Sequence, residues 1–177
     1  MGSRVLLPAM ATATIVIFLL HAAAGERETN LVFYMHDNVS GNNVTAFTVA
    51  GLNGTSSDPG KFGTIVVNWD AATKGAQATG TADPDNIVGR IQGMYVNTNL
   101  VTGLDFLMLF TVIFEDMEYK GSTLEFHGTD KFFAPHRELA VVGGTGKFRF
   151  ARGYAILTTE VLSGPNAVVK FNTTLRY

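Results

Sequence analysis

Residues 25–177 predict a single all-β domain, either a closed barrel or a two-sheet sandwich. Three observations carry this expectation. Short apolar or alternating segments are separated by clusters of Gly, Asn, Asp and Pro. No stretch of 12 or more residues keeps a clean 3.6-residue period. Glycine is abundant, 19 residues in 177, which favours tight turns and strand bends over helices.

Taken in order, residues 1–24 read as a secretory signal peptide. Arg4 is the positive start, residues 9–20 are the apolar core, and Ala22-Ala23-Ala24 is a small-residue cleavage site. That apolar run is too short for a bilayer span of roughly 20 residues. Strands are expected at 31–37, 44–50, 62–69, 88–97, 104–117 and 123–128, a short one at 139–142, then 153–162 and 168–175. Breaks fall at 52–60 with Pro59, 81–85 with Pro84, 119–121, 143–146 and 163–166. The first strand places Leu31, Phe33, Met35 and Asp37 on one face. The last places Lys170, Asn172, Thr174 and Arg176 on a polar face opposite Val169, Phe171, Thr173 and Leu175. Residues 106–114 are apolar on both faces. One face fills the interior and the other needs a cover, which predicts a homo-oligomer.

Composition excludes several function classes. The formal net charge is −2, against the basic patch a nucleic-acid binder needs. With no cysteine in the chain, disulfide staples, zinc ribbons and thiol nucleophiles are all ruled out. The sequons at Asn38, Asn43, Asn53 and Asn172, behind a signal peptide, are candidate glycosylation sites. The expected compartment is the extracellular space.

Chemistry-bearing motifs are few. Gly143-Gly144-Thr145-Gly146-Lys147-Phe148 lacks the Ser or Thr after Lys that a phosphate loop requires, so it reads as a glycine turn. His36, His127 and His136 form no closely spaced pair, so no metal site is assigned. No G-x-S-x-G elbow occurs. What remains is Asp37 and Asp130 as carboxyls that could converge inside a barrel. A carboxyl in apolar surroundings keeps its proton and can serve as a general acid near neutral pH. Asp37 can equally be a strand end that starts a turn.

Four blocks resemble the plant dirigent proteins. They are Phe33-Tyr34-Met35-His36-Asp37, Gly89-Arg90-Ile91-Gln92-Gly93-Met94-Tyr95, Gly121-Ser122-Thr123-Leu124, and Arg137 to Phe148 followed by Ala151-Arg152-Gly153-Tyr154-Ala155. The resemblance spans about residues 31–176. It implies an eight-stranded antiparallel β-barrel like that of the allene-oxide-cyclase barrels, a homo-oligomer with a trimer favoured over a dimer, and secretion to the apoplast. It implies no cofactor: an external laccase or peroxidase oxidises a phenolic substrate of the coniferyl alcohol type. The protein directs which faces of the phenoxy radicals couple, giving optically active lignans. Some members instead cyclise a quinone methide, as in pterocarpan formation, and a non-catalytic phenolic-binding defence role is a further alternative. Carried over by position, the resemblance makes Asp37, Asp130 and Arg137 catalytic, and makes Tyr95 and Phe33 substrate-binding. Asn97 stands where some lignan-forming members have a second tyrosine.

Overall fold

In a computed structural model the described residues are 28–52, 58–77, 81–101 and 104–177. The expected signal peptide, residues 1–24, and the sequon at Asn53 lie outside them.

Nine strands follow in chain order: β1 Glu28–Asp37, β2 Ala46–Ala50, β3 Ile65–Thr73, β4 Ile87–Asn97, β5 Asp105–Phe114, β6 Thr123–Lys131, β7 Arg137–Thr145, β8 Arg152–Ser163 and β9 Asn166–Arg176. All neighbouring pairs are antiparallel. The sheet runs β1-β9-β8-β7-β6-β5-β4-β3-β2, and an additional β1–β3 pairing closes it. Eight strands therefore complete the barrel. β2 is the ninth, and it divides the edge of β3 with β1. Phe47 and Thr48 lie opposite Val67 and Val66. Tyr34, Met35 and His36 lie opposite Thr73, Ala72 and Ala71.

Most strand ends shift from the expected ranges, β6 reaching Lys131 and β7 running from Arg137 to Thr145, and two of the shifts have a clear physical reason. β3 runs to Thr73 rather than ending at Trp69, because the small side chains of Ala71 and Ala72 are buried where β1 crosses to close the barrel. Gly143 and Gly144 continue β7 instead of turning. A side chain at Gly144 would collide with the Phe148 and Thr123 backbones, so close approach explains that glycine. The turn itself begins at Gly146, whose φ of 60° lies in the left-handed region.

Strand alternation arranges the interior in layers along β5. Phe106 and Met108 are buried at one end, Phe110 in the middle and Phe114 at the other end. Around Phe110 four rings lock together. Phe33 stacks on Phe171 at 5.0 Å and Phe110 on Phe126 at 5.2 Å, and the two stacks meet edge-to-face. Each such contact adds about 0.5–1.5 kcal/mol beyond area burial. At the far end Phe114, Tyr119, Phe148 and Tyr177 form a second aromatic cluster. The barrel is thus filled in its middle and at one end, and a cavity remains at the other.

The outer face differs. Phe47, Val67, Met94 and Leu109 are exposed and lie side by side in register across β2, β3, β4 and β5. Trp69 is also exposed on this side, with the Arg90 guanidinium 4.4 Å from its ring centre.

Phe171 is fully buried and touches three of the other rings. Phe171→Ala is expected to destabilise the barrel by about 3–5 kcal/mol, seen as a lower urea midpoint with an unchanged slope.

Candidate functional site

The cavity at the open end has a volume of about 300 Å³. Its wall is mainly apolar, including Met35, Leu104, Phe106, Met108, Phe132 and Val169, and Asp37, Tyr95 and Asp130 stand among these residues. A few polar groups in an apolar concavity are the usual make-up of a small-molecule site.

Each polar group is delivered by a different strand. Asp37 ends β1 on the inward face, in phase with Phe33 and Met35. Tyr95 projects from β4, packs edge-on against Phe106 at 5.3 Å, and donates its hydroxyl to Asp37 Oδ2 at 3.2 Å. Asp37 Oδ1 is buried and has no hydrogen-bond partner among the described residues. Asp130 lies near the end of β6, and Arg137 begins β7 after a tight turn. That hairpin is why the two residues, seven apart in sequence, meet. Arg137 Nε lies 3.1 Å from Asp130 Oδ1 with both side chains almost fully buried. The geometry is that of an ionic contact rather than a hydrogen bond. Arg137 Nη1 donates to the Phe132 carbonyl at 2.6 Å and to Thr159 Oγ1 at 2.9 Å, which fixes the guanidinium behind the cavity wall.

Phe33 does not line the cavity. Its ring is held in the aromatic stack on Phe171 below the floor, so β1 contributes Met35 and Asp37 to the wall instead. Asn97 is almost wholly buried and donates from Nδ2 to the Pro59 carbonyl at 2.9 Å, tying the 58–60 segment to the cavity rim.

A Dirigent-like protein family model matches residues 28–176. This chain belongs to the dirigent family. Dirigent protein 1 of Arabidopsis thaliana is 42% identical over 148 residues, covering 83% of this chain and 78% of that protein. Pterocarpan synthase 1 of Glycine max is 37% identical over 154 residues, covering 85% and 80%. The solved structure of the pterocarpan synthase dirigent protein GePTS1 superposes with a TM-score of 0.76 at 33% identity, covering 88% of this chain and 87% of that one.

The electrostatics of this dirigent barrel follow from burial. Desolvation, then the charge of Asp70, pushes the Asp37 carboxyl up to about 8, with the Tyr95 hydrogen bond opposing. Asp130 is raised by burial and partly restored by Arg137. Burial lowers Arg137 in turn. Tyr95 is raised by burial and by the carboxyls of Asp37 and Asp70, so its hydroxyl stays a donor.

Three residues near the site escape a reading of the sequence: Asp70, Asn68 and Thr45. Asn68 and Asp70 alternate with Val66 on the inward face of β3. Two polar residues on an inward face were the available signal. Their strand was expected to stop at Trp69, which hid it. Of the four sequons, Asn43 and Asn172 are exposed and Asn38 is half-buried.

Carboxyls raised by burial bind protons that the unfolded chain releases above about pH 4, so they stabilise the fold at low pH and lose that contribution as pH rises through their folded values. His36, lowered by burial, acts in the opposite sense, and its contribution is complete above pH 6.5. The thermal midpoint is therefore expected to fall between pH 6.5 and pH 9, and to fall less in Asp37→Asn, as calorimetry across that window would measure.

Proposed function

We propose that this dirigent protein binds a phenolic quinone methide and directs, with acid assistance, the face on which an internal hydroxyl closes the ring. The carrying observation is a protonatable carboxyl, Asp37, on one wall of an apolar cavity that also presents Asp130, itself paired with Arg137 behind the wall. The likeness to pterocarpan synthases supports this reading.

The chemistry balances without a redox step. Asp37 donates its proton to the quinone-methide oxygen, which makes the benzylic carbon a better electrophile. The internal hydroxyl adds to that carbon, a C–O bond forms, and the hydroxyl proton passes to Asp130. Arg137 holds Asp130 in place and favours its ionised form before the transfer. Proton exchange with solvent resets both carboxyls, and the net change is an isomerisation. Facial selectivity comes from the shape of the wall. A tenfold preference needs only about 1.4 kcal/mol of differential transition-state binding.

A second reading is stereocontrol of phenoxy-radical coupling to lignans, with a separate laccase or peroxidase supplying the oxidation. The aromatic mouth favours it: Phe132 and the exposed Phe133 meet edge-to-face at 5.4 Å beside the cavity, offering ring faces for a second phenolic. The assay that separates the readings incubates the protein with a preformed quinone methide and no oxidant, and in parallel with coniferyl alcohol with and without a one-electron oxidant. Products are resolved by chiral chromatography. Oxidant-independent ring closure to one enantiomer is expected, falling about 10²-fold in Asp37→Asn. Optically active lignans that appear only with oxidant would favour coupling. Racemic product throughout would defeat both readings.

We further propose that the chain is secreted to the apoplast and glycosylated at Asn43 and Asn172, the exposed sequons. Assembly as a homo-oligomer, with a trimer favoured over a dimer, is proposed through the outer row of Phe47, Val67, Met94 and Leu109. Light scattering at micromolar concentration is expected to show an oligomer, and the double variant Met94→Lys, Leu109→Glu a monomer. A monomeric wild type would refute the assembly.

A further inference from the structure

The carboxyl of Asp70 has no part in the scheme above, yet it is fully buried, with 0% exposure. It sits behind the cavity wall rather than on it. Thr45 Oγ1 donates to its Oδ1 at 2.5 Å and Asn68 Nδ2 to its Oδ2 at 2.7 Å. Among the described residues no ion pair reaches it. Two neutral donors, one on each oxygen, favour the ionised carboxylate. Asp37 is arranged the other way. It accepts one hydrogen bond, from Tyr95 on Oδ2, and its buried Oδ1 has no hydrogen-bond partner among the described residues. A charge left on that oxygen would be costly, and a proton there removes the charge.

We propose that Asp37 and Asp70 form a coupled carboxyl pair holding one proton, in which Asp70 is a positioning residue: clamped in the ionised form by Thr45 and Asn68, it keeps the proton on Asp37 at the cavity wall. The catalytic consequence rests on the quinone-methide reading, and the pair itself does not. The antiparallel β1–β3 pairing ends at His36 opposite Ala71, so Asp37 and Asp70 are the next residues on the two strands, and like charges placed so in a buried setting do not both ionise readily. Consistent with the geometry, the Asp70 charge is the second cause, after burial, of the Asp37 shift to about 8, and Asp70 itself is raised only to about 6.

Few other titratable groups face this pair. Tyr95 comes from β4 and remains neutral. His36 of β1 turns to the opposite face and meets Thr73 Oγ1 at 2.7 Å. Asp130 of β6 lines the same cavity and is paired with Arg137 of β7, which lies behind the wall. Asp58 stands at the cavity rim. On β9 Lys170 lies on the outward, polar face, and on β4 Arg90 lies over Trp69 on the outside.

The test is a titration of the whole folded protein carrying carboxyl-13C aspartate, read by NMR, with the pH profile of ring closure beside it. In the wild type Asp37 is expected to titrate near pH 8 and Asp70 near pH 6. Asp70→Asn should lower the Asp37 midpoint by at least about one unit, since a like charge is gone. The ratio of the ring-closure rate at pH 8 to that at pH 5.5 should then drop at least about fivefold. A purely structural role for Asp70 would lower the rate at both pH values and leave the ratio unchanged. Asn68→Leu removes one clamp while keeping the charge, and should move the proton toward Asp70, raising its midpoint and lowering that of Asp37. This second variant carries the test if Asp70→Asn does not fold. An unchanged Asp37 midpoint in either folded variant overturns the pair. Shifted midpoints without ring closure in any sample support the pair and refute the quinone-methide reading instead.

Discussion

Closure of the barrel rests on a short antiparallel contact, Tyr34-Met35-His36 of β1 against Ala71-Ala72-Thr73 of β3, and the site depends on it. β2 occupies the first half of the β3 edge, so β1 has only the second half to bind. Two alanines make the approach possible, because larger side chains there would hold the strands apart. His36 secures the seam by bonding to Thr73, whose hydroxyl donates onward to the Gly75 carbonyl at 2.7 Å. The seam ends one residue before Asp37. That placement brings Asp37, Asp70 and Tyr95, from three strands, within one electrostatic neighbourhood.

The interior distributes its polar groups unevenly. The middle and far end are aromatic and aliphatic, and they supply the stability an apolar core can give. The ionisable groups gather at the open end, Asp37 and Asp130 on the cavity wall and Asp70 and Arg137 behind it, and each has a compensating arrangement. Asp130 has Arg137. Asp70 has Thr45 and Asn68. Asp37 has only Tyr95, and protonation is its way of tolerating burial. The difference between a paired, a clamped and a nearly unsupported carboxyl is what gives three aspartates three separate proton affinities inside one barrel.

The rim is also built from backbone tethers. Asn97 ties Pro59 to the end of β4, and Asn166 accepts from the Val39 and Ser40 amides, which ties the segment after β1 to the β8–β9 hairpin. The residues that shape the mouth therefore belong to loops held by single asparagine side chains. A substitution at such a position can alter the shape of the opening while leaving the barrel intact.

Much of the architecture was legible in the residues alone. Short apolar or alternating segments with glycine and proline punctuation marked all nine strands, and the parity of Phe33, Met35 and Asp37 and of Val169, Phe171 and Leu175 assigned the inward faces, because a strand has only two faces to choose between. The spacing of Asp130 and Arg137 survived as contact because a hairpin brings residues seven apart together. Tertiary structure alone decided the rest. Phe33 faces inward as its parity requires, yet how far along the barrel axis the cavity stops and the packed floor begins depends on rings from four strands meeting at once. Asp70 entered the site because β3 extends under β1, a long-range pairing that no local pattern encodes. The sequence by itself determined which side chains point inward; only the closed barrel decided which of those inward residues share a proton and which share a core.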